Sequence, residues 1–230
     1  MADLWVLVPS RGRPANVERL VKHCALTCTA DTRLHFGFDQ DDPDLEAGIA
    51  AAGGHRYTVS PRMGLTGWTN ELAARHIKRG DASVLGSVGD DMVPVTHGWD
   101  ARLLAVLEEM GGGFVYPDDR RRDDIPEAVF MSVAIPRALG WMALPTTHHW
   151  WIDNVWRDLG AACGRIRYCP DILVEHKPPN VPGGDPPDAT YHDAAAHYQD
   201  DSNAYRSWRL RQMPFDIRVV RRALGVPAAA

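Results

Sequence analysis

The chain has no run of about 18 or more apolar residues, so nothing in it predicts a membrane-spanning helix. No basic prelude or small-residue cleavage site stands ahead of "LWVLVPS", which argues against export and makes a cytoplasmic location the expectation. Cysteine is scarce. Cys24 and Cys28 fall on one predicted helix face, Cys163 and Cys169 flank a turn, and neither pair has the tight spacing of a zinc site. Reduced, buried thiols are expected instead. Internal repeats and low-complexity tracts are missing apart from the closing "PAAA". Positive charge is not in excess either, and a net charge of −5 speaks against a general polyanion binder. The local exception lies between Arg206 and Arg222, where Arg209, Arg211, Arg218 and Arg221 have Asp216 as the only acid among them.

What is present is an ordinary globular composition, 45% hydrophobic and 24% charged. The 230 residues can bury one substantial core, or two halves sharing a sheet. "LWVLVP" is a continuous apolar run, suited to a strand covered on both faces. Pro14 sits where a first helical residue should be, and Val17, Leu20, Val21, Cys24 and Cys28 supply that helix's apolar stripe. "RLHFGFDQDD" reads as a second strand with Leu34, Phe36 and Phe38 on one face. A short helix ending near Gly53-Gly54 and a third strand, "HRYTV", follow. The loop "SPRMGLTG" then leads into a helix from about Trp68 to Lys78, closed by Gly80. Val84, Leu85 and Val88 mark a fourth strand, and Trp99, Leu103, Val106, Leu107 and Met110 a helix.

Such alternation predicts an α/β fold with a doubly wound, mostly parallel sheet. Ligands of that architecture bind beyond the carboxyl ends of the strands, where strand order reverses. Arg11, Asp39, Asp41, Arg62 and Asp90-Asp91 all follow strands and should meet on one rim. The second half is less regular. "GGFVYPDD" and "AVFMSVAI" read as strands around the charged loop "DDRRRDDIPE". "HHWWIDNVWRDLGAACG" becomes a helix with Ile152, Val155, Trp156 and Leu159 on its apolar face. "RIRYCPDILVEHKPP" reads as two short strands, residues 180–188 as a mobile loop, and the chain from about Ala189 onward as a helical tail.

The adjacent carboxylates Asp90 and Asp91 repel each other at a strand end unless a cation compensates them, and magnesium or manganese suits oxygen ligands. A solvated turn or a cap is the plain alternative. In the rival cluster "FDQDDPD", Asp42 could cap a helix starting at Pro43, leaving Asp39 better placed for a ribose or base. Arg11, Arg13 and Arg62 bring cations whose forks suit phosphate oxygens. Asp153 lies among Trp150, Trp151 and Trp156, where desolvation would raise its pKa toward that of a general base. An acid favoured by the helix dipole is the competing reading. His148 and His149 could line the same cleft, and His176 closes the strand "ILVEH", within reach of a metal or phosphate.

Taken in order, "VLVPSRGRP", "GDDMVPVTHGWD", "WWIDNVWRDLG" and "YCPDILVEHKPP" resemble the GT-A glycosyltransferases, most closely family 2, over about Leu4 to Tyr191. The chain is also similar to short, stand-alone bacteriophage glycosyltransferases. The resemblance implies a GT-A domain over residues 1–188, with a nucleotide-sugar-binding half to 110 and an acceptor half over 111–188. The arginine-rich helical tail covers 189–230. It implies a divalent ion, manganese or magnesium, bound by Asp91 and His176, with Asp90 supporting the metal or ribose. Pro9, Ser10, Arg11, Arg13, Asp39 and Arg62 would contact the donor, Asp153 would be the base of an inverting transfer, and His148, His149, Trp150 and Trp151 would form the acceptor cleft. One departure from the pattern is Gly89, which stands where a D-x-D motif carries its first acid.

The acceptor is open. A hydroxylated base in phage DNA is one candidate, with Trp208 as a stacking group on the arginine-rich tail. Two other classes compete. A non-catalytic nucleotide-sugar or glycan-binding module would bind donor without turnover. A sugar nucleotidyltransferase should open with a glycine-rich loop bearing lysine, which "VPSRGRPAN" is not.

Overall fold

The computed structural model describes residues 3–179 and 181–227. The elements run β1 (Leu4–Ser10), α1 (Pro14–Thr27), β2 (Thr32–Asp39), α2 (Leu45–Ala51), β3 (Arg56–Ser60), α3 (Gly64–Arg79), β4 (Val84–Ser87), β5 (Met92–Pro94) and α4 (Trp99–Glu109). They continue β6 (Phe114–Asp118), β7 (Val129–Ser132), α5 (Ala134–Leu139), α6 (Ile152–Cys163), β8 (Ile166–His176), α7 (Ala189–Ala196), α8 (Tyr198–Arg211) and α9 (Met213–Ala223). One eight-stranded sheet has the order β3-β2-β1-β4-β7-β6-β8-β5. Pairing is parallel through β3, β2, β1 and β4 and between β6 and β8. It is antiparallel at β4–β7, β6–β7 and β5–β8.

The apolar run of β1 is explained by its two faces. Leu4, Val6 and Val8 pack with Val17, Leu20, Phe36, Phe38 and Trp99 on one side. Trp5 and Leu7 pack with Trp68, Leu72, Trp156 and Val220 on the other. Every residue from Leu4 to Val8 is therefore buried, which is why no polar alternation shows in that run. The chain winds from β1 outward to β3, then returns to place β4 on the other side of β1. Strand order reverses between β1 and β4, so the crevice opens over their carboxyl ends.

Several local expectations need correction. α3 begins at Gly64, four residues before the expected Trp68, because a distant loop holds its first turn. Thr66 N donates to His148 O at 3.0 Å, and the Thr66 and Thr147 hydroxyls lie 3.0 Å apart. Pro43 does not start α2. Asp44 is its N-cap, and Asp42 instead accepts from the backbone N–H groups of Gly12 and Asp44, each at 2.9 Å. "RIRYCPDILVEH" forms one strand rather than two, its irregularity absorbed by a register shift opposite Pro117 and Asp118. The strand expected over "AVFMSVAI" ends at Ser132 and turns directly into α5.

The segment expected to be mobile is tied down. Arg19 meets Asp185 in a fork at 2.8 and 2.6 Å, Asn16 donates to the same carboxylate, and Arg13 holds Asp188. Asn180 itself lies outside the described residues. The helices after it are packed rather than peripheral: Tyr205, Trp208 and Val220 belong to the same apolar core as Trp5 and Leu72. Trp208 is consequently no stacking group. It is buried, and its Nε1 donates to Asp216 Oδ2 at 2.8 Å. No helix among the described residues is long and apolar enough to cross a membrane. All four cysteines are free thiols.

Candidate active site

A cleft of roughly 660 Å³ opens over the ends of β1 and β4. That is within the span of small-molecule sites, about 300–1,000 Å³. Pro9, Ser10, Arg11, Arg13, Asp39, Arg62, Asp90, Asp91, His148, His149, Trp150, Trp151, Asp153 and His176 all line it. The ends of five strands (β1, β2, β3, β4 and β8) and the loop before α6 thus bring these residues to one hollow.

The carboxylates are arranged by β5, a three-residue strand that the sequence did not signal. It pairs antiparallel with the end of β8, setting Met92 opposite His176. Lys177 N donates to Asp91 O at 3.0 Å, which fixes the two chain segments side by side. As a result Asp91 Oδ2 lies 3.3 Å from His176 Nε2. The other ring nitrogen of His176 meets Glu127 at 2.5 Å. Tyr191 donates its hydroxyl to the same Asp91 oxygen.

Gly89 has a physical reason here. A Cβ at position 89 would stand 2.5 Å from Asp91 Oδ1, so an acid in the first place of a D-x-D motif collides with the Asp91 carboxylate as it is oriented.

Asp90 turns the other way. It accepts from Ser10 Oγ at 2.6 Å and from Arg13 at 3.1 Å. Burial and the neighbouring Asp91 raise its pKa against the pull of Arg13. Burial also works against an ionised Asp91, but the hydrogen bonds from His176 and Tyr191 and the Arg13 charge hold its pKa well below the usual range. Desolvation of His176 is likewise outweighed by Asp91 and Glu127, which raise it to about 9. The adjacent acids therefore differ in state, one held as the anion and one pushed toward the neutral form.

At the β2 end, Asp39 accepts from Trp68 Nε1 at 2.7 Å and from Arg11 at 3.2 Å, with Arg62 at 4.0 Å. Asp41 pairs with Arg11 at 2.7 Å but is exposed and does not line the cleft. The rival acidic cluster therefore builds the loop, and Asp39 alone faces the hollow.

The opposite wall is the loop before α6. Asp201, from α8, accepts from three successive backbone N–H groups, those of His148, His149 and Trp150, each at 2.8 Å. Trp151 follows with φ of 71°, a left-handed conformation that costs a bulky residue about 1–3 kcal/mol. Its ring stacks on Tyr205 at 5.1 Å. That turn starts α6 and sets Asp153 in its first turn, facing the cleft. Burial pushes the Asp153 carboxyl up to about 6. Burial also lowers His149, to about 4, and His148.

Sequence reasoning missed Glu127, Asp188, Tyr191, Asp193, His197 and Asp201. Glu127 lay inside a charged loop, where one acid among many carries no signal. The others lie in α7, its cap, α8 or the junction between them, and only the tertiary fold returns that segment to the cleft. Asp188 caps α7, accepting from Tyr191 N at 3.0 Å while its carboxylate grips Arg13.

The sequence matches no protein-family model and no curated protein. Solved structures do match. The mannosyltransferase PcManGT from Pyrobaculum calidifontis, in complex with GDP-Man and Mn2+, aligns with 100% of this chain and 78% of its own, at TM-score 0.63 and 15% identity. TarS from S. aureus, residues 1–349 with UDP, aligns at TM-score 0.61 and 10% identity over 96% and 70% of the two chains. Glucosyl-3-phosphoglycerate synthase from Mycobacterium tuberculosis, with Mn2+, UDP and phosphoglyceric acid, aligns at 0.56 and 14% over 99% and 80%. At such identities the likeness is one of architecture: this chain has the GT-A fold of those glycosyltransferases.

Proposed function

We propose that the chain is a metal-dependent glycosyltransferase that moves a sugar from a nucleotide-sugar donor to an acceptor hydroxyl. The observation that carries this reading is the meeting of Asp91 and His176 at 3.3 Å in the cleft that Asp153 also lines. An ionised carboxylate oxygen beside an imidazole nitrogen would hold manganese or magnesium once the ion displaces the His176 ring proton, with donor phosphates supplying further oxygens. Such an ion, when bound, supplies charge neutralisation of the leaving diphosphate.

The chain's own residues do the rest. Pro9, Ser10 and Asp39 hold the nucleoside end, while Arg11, Arg13 and Arg62 supply cations toward the phosphates. Asp90 orients Arg13 and Ser10. On the other wall Asp153, raised toward neutrality but ionised at pH 7, accepts the proton of the acceptor hydroxyl. That oxygen attacks the anomeric carbon from the face opposite the diphosphate, so the anomeric configuration inverts. His148, His149, Trp150 and Trp151 bound the acceptor side. The half up to residue 110, joined by His176, serves the donor, the half from 111 to 188 the acceptor, and α7 with the start of α8 closes the cleft.

Nucleic acid is retained as a candidate acceptor on a changed basis. Arg206, Arg211, Arg218 and Arg222 are exposed on α8 and α9, and Phe215 is 58% exposed beneath Arg218, so the available stacking ring is Phe215 rather than Trp208.

Thermal stabilisation should be measured across nucleotide-sugars with manganese, together with release of nucleoside diphosphate. One donor class should raise the melting temperature and be hydrolysed slowly, and Asp91→Ala should remove the metal-dependent part. Binding without hydrolysis or transfer to any acceptor would favour the non-catalytic module. Unchanged metal-dependent affinity in Asp91→Ala would refute the ligand assignment.

A further inference from the structure

A second constellation lies apart from the Asp91 and His176 pair. His148, Asp193 and His197 each offer one ligand atom, and these atoms all lie within 4.8 Å of one another. Asp193 and His197 are four residues apart across the junction of α7 and α8, a spacing that puts both on one helical face. His148 comes from the loop before α6, and the fold fixes it in advance. Its N–H is held by Asp201 and its carbonyl by Thr66 N. Its ring sits on Gly64, where an added Cβ would come within 2.5 Å. The two imidazoles are parallel within 25°, with ring centroids 3.8 Å apart.

From this we infer that His148, Asp193 and His197 form a second, zinc-type metal site at the edge of the cleft, separate from the Asp91 and His176 pair. Two imidazoles and one carboxylate suit zinc, cobalt or nickel rather than magnesium. In a tetrahedral zinc site with bonds of about 2.0–2.1 Å, ligand atoms stand about 3.4 Å apart. The rings are stacked, so their nitrogen lone pairs run nearly parallel, and ion binding would turn one imidazole out of the stack so that both converge on the metal. Arg62 meets Asp193 Oδ2 at 2.6 Å and leaves the other carboxylate oxygen for an ion, the usual place for a partner that orients a ligating group. Three protein ligands leave one position for water or a substrate oxygen, and two of the three line the cleft. The ion would clamp α7 and α8 to the His148 loop. The inference does not depend on sugar transfer.

The test uses full-length protein stripped with a chelator, in an Asp91→Asn background that disables the nucleotide site. Cobalt is titrated with visible absorption as the readout, and zinc affinity is measured by competition with a chromophoric chelator. One equivalent should bind, and zinc should raise the melting temperature. Adding His197→Ala or, separately, Asp193→Asn should weaken zinc at least tenfold while circular dichroism shows a folded chain. A spectrum that persists in both variants, or no cobalt binding at all in the Asp91→Asn protein, would overturn the site.

Discussion

Asp201 offers a sharp test of how the tail and the cleft depend on each other. It is buried and lies on α8, and among the described residues its carboxylate accepts from the N–H groups of His148, His149 and Trp150. Oδ2 accepts two of these bonds and Oδ1 the third, each at 2.8 Å. In Asp201→Asn the amide oxygen can keep His149 and Trp150, but the amide nitrogen then faces the His148 N–H, donor against donor. One charge-assisted bond is lost, worth about 1.5–3 kcal/mol, and a donor loses its acceptor. The same clamp opposes the left-handed strain at Trp151, so part of that strain should relax as the loop loosens. Together these give about 2–4 kcal/mol of destabilisation. For a chain of this length that is a fall in melting temperature of about 5–12 °C. Urea unfolding of wild type, Asp201→Asn and Asp201→Ala provides the measurement, with exposed Asp200→Asn as the control expected within about 0.5 kcal/mol of wild type. Asp201→Ala should cost more than Asp201→Asn. A loss below about 0.5 kcal/mol in both would refute the clamp.

Three further outcomes are expected. If Asp153 is the base, kcat/KM should fall about tenfold per pH unit below about 6, where the carboxyl protonates, and Asp153→Asn should lose at least two orders of magnitude while keeping donor affinity. Gly89→Asp, which completes a D-x-D motif on paper, should weaken metal-dependent donor binding, because the new side chain displaces the Asp91 carboxylate; calorimetry showing tighter binding would contradict this. His35, buried between His76 Nε2 at 2.9 Å and Thr58 Oγ1 at 3.0 Å, is lowered to about 3 by burial and by His76. The unfolded chain therefore takes up a proton near pH 6.5 that the native one refuses, so stability falls as pH drops. Between pH 7 and 5 His35 should account for about 2 kcal/mol in denaturant titrations, a slope that His35→Asn should flatten.

How much of this was legible in the sequence follows from the reach of each interaction. β1 declared itself because burial on both faces leaves a continuous apolar run, and the positions just past strand ends declared the rim because topology carries them there whatever the loops do. Asp39, Asp90, Asp91 and Asp153 were found in this way. Glu127, Tyr191 and Asp201 were not, since each acts across the fold on a partner 49, 100 or about 50 positions away, and no local pattern marks such pairs. The short strand β5 was equally silent at three residues, yet its register against β8 is what brings His176 to Asp91.

Gly89 shows the reverse case, where the sequence appeared to lack something and the structure supplies the reason. An absent acid reads as a weakened motif when residues are matched letter by letter. In three dimensions the vacant Cβ is the space into which the Asp91 carboxylate folds. The partners that position 89 does not supply to Asp91 come from elsewhere: His176 from β8, with Glu127 behind it, and Tyr191 from α7. The site therefore distributes over distant segments what the shorter motif concentrates in one loop. Its integrity should then depend on residues 176–201 as strongly as on residues 89–91, which is what the Asp201 and Gly89 experiments separate.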